Sequence, residues 1–131
     1  MGIKTVAIYS EADAESQFRQ MADEAICIGP SPSVKSYLSI DAILNAVRLS
    51  GADAVHPGYG FLSENCTFAK KLLDMGVSFV GPRFEVIRAM GDKIQSKRIA
   101  ASAGVNCVPG FDGEANDPAE ALKIANDLGK H

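Results

Sequence analysis

His56-Pro57-Gly58-Tyr59-Gly60-Phe61-Leu62-Ser63-Glu64-Asn65 lies between two contrasting runs. Before it, Ala52-Asp53-Ala54-Val55 reads as a strand; after it, Cys66 to Met75 is amphipathic at helical spacing. Gly58 and Gly60 let the backbone turn sharply and approach a ligand closely. Pro57 favours an extended conformation at His56. In α/β sheets, ligands bind at the carboxyl ends of strands. This strand–turn–helix is therefore the first place to seek function.

The same alternation extends on both sides. Ile3 to Ser10 reads as a strand, and its near-continuous apolar character suits one covered on both faces. Glu11 to Asp23 is polar and Ala-rich, a loop or short helix, and Ala25 to Ile28 is a second strand stopped by Gly29-Pro30. Tyr37 to Ser50 reads as a helix with Ile40, Ile43, Leu44 and Val47 on one face, Ser39 as cap and Gly51 as stop. Phe68, Ala69, Leu72 and Leu73 stripe the helix after the decapeptide, and Val77 to Val80 is a fourth strand. Val86, Ile87 and Met90 stripe a short helix. Asp92 then caps a helix running to Ala103, with Gln95 completing a capping box. Val105 to Pro109 is extended, and Gly110 to Glu114 is a loop. Asp117-Pro118-Ala119-Glu120 opens a last helix with apolar Ala121, Leu122, Ala125 and Leu128. The expected fold is α/β, a doubly wound, mainly parallel sheet of four strands, Rossmann-like, with bridging helices after it.

The chain has 131 residues, enough for one domain with a core. Its formal net charge is −3 with scattered Lys and Arg, which argues against nucleic acid and anionic membrane surfaces as partners. No apolar run approaches the roughly 18 residues of a membrane span. The N-terminus resembles neither a signal nor a transit peptide. Cys27, Cys66 and Cys107 sit among apolar neighbours without a Cys-x-x-Cys pair, so three buried thiols in a reducing compartment are expected, and no metal centre.

His56 to Asn65 together with Met90-Gly91-Asp92-Lys93 resembles the biotin carboxylase family. Met1 to Ser10, Ala22 to Ala25, Ile28 to Ser33, Ser36-Tyr37-Leu38, Phe79 to Pro82 and Val108-Pro109-Gly110 are similar too, in order and without large gaps. Within the family, Gly110 to Gly113 and Met90 to Lys97 look most like the α subunits of acyl-CoA carboxylases. The resemblance implies residues 1–82 as the N-terminal pre-ATP-grasp domain, 83–110 as bridging helices and 111–131 as the start of the ATP-grasp lid domain. The family opens with a strand–turn–helix containing Asn-Arg-Gly-Glu-Ile-Ala, and continues into a glycine-rich lid, metal-binding glutamates and bicarbonate-binding basic residues. The chain is expected to be truncated of these at both ends.

Family members use MgATP to activate bicarbonate and then carboxylate biotin on a carrier domain, whose carboxyl group a carboxyltransferase passes on. The cofactors implied are ATP, Mg2+ with its ligands outside this chain, and biotin. The location implied is the mitochondrial matrix in a eukaryote and the cytoplasm otherwise. Phosphoryl transfer between anions needs cations on the phosphates and exclusion of water. Lys93, at the first turn of a helix, suits an anion, and the resemblance puts it on ATP phosphate; the plain alternative is a solvated helix lysine. Tyr59, Gly60 and Glu64 would line the biotin and bicarbonate end. Glu64 is the one catalytic candidate, against a turn whose carboxylate merely favours the next helix. His56 reads better as a loop-shaping imidazole bonded to backbone than as a general base. Asp92 reads as a cap, and Phe61 and Leu62 as core.

The expected function is part of the biotin carboxylase component of an acyl-CoA carboxylase, inactive by itself. The alternative is a non-catalytic nucleotide-binding or regulatory doubly wound domain. A third possibility is a module that only supports dimerisation; the family homodimer is expected to be weakened here. An exposed sheet edge is also expected to favour aggregation.

Overall fold

The structure, a computed structural model, describes residues 2–108, 110, 111, 113 and 115–129. Parts of the extended segment and loop read at 105–114, namely Pro109, Asp112 and Glu114, lie outside the described residues. The chain divides into two compact units, Met1–Ile87 and Arg88–His131.

In the first unit, strand β1 (Val6–Ser10) leads through a 3-10 turn at Glu11–Asp13 and helix α1 (Gln17–Met21) to β2 (Glu24–Gly29). A second 3-10 turn, Ser33–Lys35, precedes helix α2 (Ile40–Ser50). Then come β3 (Ala54–Val55), α3 (Cys66–Asp74) and β4 (Ser78–Phe79). The strand-helix alternation and parallel pairing are those of an α/β fold: Val6 pairs with Glu24, and Val55 with Phe79. Near the end of β2 the register shifts, so that Ser10 faces Gly29. Helix α2 forms where its apolar period predicts. Ser39 caps it by accepting the Ala42 N–H, and Gly51 ends it at φ 63°.

One apolar core serves this unit. Ile43, Leu44, Ala46 and Val47 from α2 meet Ile28 from β2, Leu62, and Phe68 and Leu72 from α3. Phe79 of β4 packs edge-on against Phe68, with ring centroids 6.2 Å apart.

Several expectations are corrected here. The four strands form two separate parallel pairs, β1–β2 and β3–β4, rather than one joined sheet. β3 and β4 are only two residues each. A cavity of about 600 Å3 is bounded by Val6 and Ile8 of β1 and by Val55 of β3, over Ile43 and Phe68. With that space open, β1 is not covered on both faces: Val6 is exposed and Ile8 half-buried. β1 also begins at Val6, not Ile3. The cysteines are free but not buried; Cys27 and Cys107 are exposed and Cys66 is intermediate. In β2 the side chains alternate, so Ile28 reaches the core while Cys27 faces the other way. Tyr37 and Leu38 do not begin α2, because the Leu38 N–H turns back to the Ser33 carbonyl, 2.8 Å. Leu62 is core, but Phe61 is 60% exposed.

Helix α4 (Phe84–Gly91) crosses from the first unit to the second, which holds α5 (Lys93–Ser102) and α6 (Pro118–Asp127). Asp92 caps α5, accepting from the Ile94 and Gln95 N–H groups at 2.9 and 2.7 Å. Asp117 caps α6 in the same way, with Pro118 in its first turn. The α6 stripe forms, yet Leu122 and Leu128 on it are exposed. No helix among the described residues is long and apolar enough to cross a membrane.

Candidate functional site

The decapeptide leaves the carboxyl end of β3 and enters α3. Three residues within it take positive φ: Gly58 at 68°, Gly60 at 73° and Phe61 at 42°. The glycines do so freely; a bulky aromatic there is an outlier costing about 1–3 kcal/mol. The Gly58 N–H donates to His56 Nδ1 at 3.1 Å, so the imidazole braces the first turn through that nitrogen. Further on, the Ser63 N–H reaches the Gly60 carbonyl at 2.9 Å. Asn65 caps α3, its Oδ1 accepting the Phe68 N–H at 2.9 Å. Leu62, 6% exposed, anchors the loop in the core.

Tyr59 points fully outward at 99% exposure, and Gly60 and Glu64 are also exposed. The cavity beside β3 is walled by His56, Pro57, Gly58 and Tyr59 from the loop, and by Asp13, Phe18 and Tyr37. The structure thus brings His56, Tyr59, Gly60 and Glu64 together on one loop. Lys93 opens α5 in the second unit, where it is exposed. Asp92 is committed to capping. Among the described residues no three His, Cys, Asp or Glu side chains gather into a possible metal site.

Sequence reasoning missed the support beneath this loop. The Phe61 ring stacks on Tyr37 at 5.0 Å between centroids, 28° from parallel. The Tyr37 hydroxyl donates to Asp13 Oδ2 at 2.6 Å and accepts the Ser10 N–H at 2.9 Å. Ser10 Oγ donates to the same Asp13 oxygen at 2.7 Å. The Tyr37 bond, then the Ser10 bond, hold the Asp13 carboxyl below its ordinary value of 3.8. Burial, then the bond to Asp13, push the Tyr37 phenol above 10.0. These partners lie 24 and 27 residues apart in the chain, beyond any local pattern. An isolated Tyr before a helix cap was the only available signal.

The family described as "Biotin carboxylase, N-terminal domain" matches residues 1–87. The mitochondrial propionyl-CoA carboxylase alpha chain of Sus scrofa is 59% identical over 129 residues, covering 98% of this chain but 18% of that protein. Among solved structures, the Campylobacter jejuni biotin carboxylase in complex with βγ-ATP superposes with a TM-score of 0.92 at 42% identity, over 98% of this chain and 29% of that one. The biotin carboxylase domain dimer of Hydrogenobacter thermophilus 2-oxoglutarate carboxylase, with MgADP, ADP and bicarbonate, gives 0.90 at 45% identity, over 98% and 28%. The chain therefore spans less than a third of these relatives. With the family matched across the whole first unit, the glycine-hinged loop after β3 sits in a known setting: this chain belongs to the biotin carboxylase N-terminal domain family.

Proposed function

We propose that the chain serves as the N-terminal part of the biotin carboxylase component of a biotin-dependent acyl-CoA carboxylase of the propionyl-CoA carboxylase α type. The activity of the whole assembly is ATP- and bicarbonate-dependent carboxylation of biotin. The observation that carries this reading is identity of 59% with such an α chain along 98% of this one. The resemblances at Met90 to Lys97 and Gly110 to Gly113 point to the same subgroup.

In this reading residues 1–82 are the N-terminal domain, 83–110 bridge, and 111–131 begin the lid. Lys93 is the chain's contribution to ATP. It sits on the first turn of α5, where a helix end and an ammonium both favour phosphate. Tyr59, Gly60 and Glu64 form the biotin and bicarbonate end. Their chemistry fits: an exposed ring offers an apolar face to a fused-ring cofactor, a glycine admits close approach, and a carboxylate accepts from a ureido N–H. His56 shapes the loop. Mg2+ is assigned no ligand from this chain. Bicarbonate, a biotin carrier domain and a carboxyltransferase complete the reaction, in the mitochondrial matrix for a eukaryotic source. The family homodimer is weaker with this chain alone.

Purified chain assayed for bicarbonate-dependent ATP hydrolysis is expected to show none, and turnover would overturn the proposal. Calorimetry with ATP is expected to give weak binding that Lys93→Ala removes. Tight binding indifferent to Lys93 would favour the regulatory reading instead.

A further inference from the structure

We propose that Asp13 and Tyr37 are positioning residues for the His56–Asn65 loop, acting through Phe61 to hold the shape in which Tyr59, Gly60 and Glu64 are presented. The inference rests on the reading of that loop as the biotin and bicarbonate end. Phe61 has φ 42°, a conformation that a bulky side chain does not keep unaided. Burial does not hold it either, since the ring is 60% exposed. What holds it is the stack on Tyr37.

Tyr37 lies in a turn outside any helix or strand; its ring packs against the core of the first unit, and its hydroxyl fixes the ring's far end. That hydroxyl is tied both to the Asp13 carboxylate and to the backbone of Ser10. Ser10 ends β1 and is 1% exposed, so the tether is rooted in the most enclosed part of that strand. The loop is consequently pinned at two consecutive residues: Phe61 on Tyr37, and Leu62 in the core. Tyr59 and Gly60, just before the pins, are left facing outward. Neither Asp13 nor Tyr37 is placed on a ligand; each acts through Phe61.

Backbone amide resonances of the 131-residue chain test this directly. Tyr37→Leu removes the stack and both hydrogen bonds. It is expected to move the Gly60 and Glu64 signals while leaving those of Ala46 and Leu72 in the core. Tyr37→Phe and Asp13→Asn keep the stacking ring and are expected to move the same signals less, in the same direction. Loop signals unmoved by Tyr37→Leu, or core and loop signals moved alike, would overturn the proposal. If Tyr37→Leu does not fold, Phe61→Ala at an exposed ring carries the same comparison. Titration with free biotin forms the second arm: binding is expected to weaken several-fold in Tyr37→Leu and to recover partly in Tyr37→Phe. Graded loop shifts in a chain that binds no biotin would uphold the brace and overturn the biotin reading of the loop.

Discussion

The Tyr37 hydroxyl and the Asp13 carboxylate meet at 2.6 Å, and through that contact the end of β1 is tied to the ring on which Phe61 stacks. A neutral donor on an ionised acceptor makes a strong hydrogen bond only while both protonation states hold. The link between β1 and the loop is therefore bounded in pH on both sides.

On the acid side, the folded Asp13 pKa is depressed below 3.8. Its contribution to stability is present above that value and is lost as pH falls through the lower folded one. Asp23 behaves alike, held down by the Thr5 backbone N–H first and the Thr5 hydroxyl second. On the alkaline side the folded Tyr37 pKa is raised, so its contribution is complete below pH 10 and fades as pH climbs through the raised value. Thermal midpoints against pH are expected to decline below about pH 4 and again above about pH 10. Asp13→Asn should flatten the acid limb in part, leaving the share of Asp23 and that of Glu120, which Asn116 holds down through its backbone N–H and then its side chain. An acid limb unchanged in both Asp13→Asn and Asp23→Asn chains would contradict the assignment.

Gly29→Ala is expected to destabilise the chain and to disturb Tyr37. Gly29 ends β2 at φ 139°, and a Cβ there would overlap the Lys35 carbonyl oxygen. The clash falls on backbone, which cannot swing aside as a side chain could. Lys35 and the fully buried Ser36 lead directly into Tyr37, so displacement would be passed to the brace. Circular dichroism melts should show a clear loss for Gly29→Ala, against little change for alanine at Gly91, where a Cβ meets nothing within 4 Å in a helix.

Asn65→Ala is expected to cost about 1 kcal/mol, the usual loss on removing a helix cap. The N–H of Phe68, a core residue in the first turn of α3, would lose its side-chain acceptor. Asn65→Asp or Asn65→Ser should retain most of that stability, because each restores an acceptor oxygen. Urea titration distinguishes these outcomes; equal loss in all three would mean that Asn65 does something other than cap.

Helical order was largely readable from residue spacing. Ile40, Ile43, Leu44 and Val47 recur with the helical period, and Ser39 and Gly51 bracket them, so α2 was visible almost to its ends. Strand extent was not. Val77 to Val80 has strand character throughout, yet only Ser78 and Phe79 pair, because pairing depends on a partner and β3 offers two residues. The loop after β3 was readable from its glycines and proline, though the full exposure of Tyr59 was not. The stack and tether beneath it were not, since they join Ser10, Asp13, Tyr37 and Phe61 across the fold. Phe61 looked like core because it is aromatic and flanks Leu62; its positive φ turns the ring onto Tyr37 instead.

The inside and outside of α3 are separated by one residue, and that gives a sharp test of the core. Leu72 is 0% exposed and Leu73 62%. Truncating a fully enclosed leucine loses its transfer free energy and leaves a cavity, so Leu72→Ala is expected to cost about 2–5 kcal/mol. Leu73→Ala should stay within about 0.5 kcal/mol. The Met75 and Val77 N–H groups both bond to the Leu72 carbonyl, at 3.0 and 2.9 Å, and neither substitution removes those bonds. The difference therefore reports side-chain packing alone. A domain of this size holds about 5–15 kcal/mol in total, so Leu72→Ala should lower the unfolding midpoint severely or abolish the cooperative transition. Equal midpoints for the two variants would mean that α3 does not present Leu72 to the α2 and β2 side chains, and the support beneath the loop would have to be sought elsewhere.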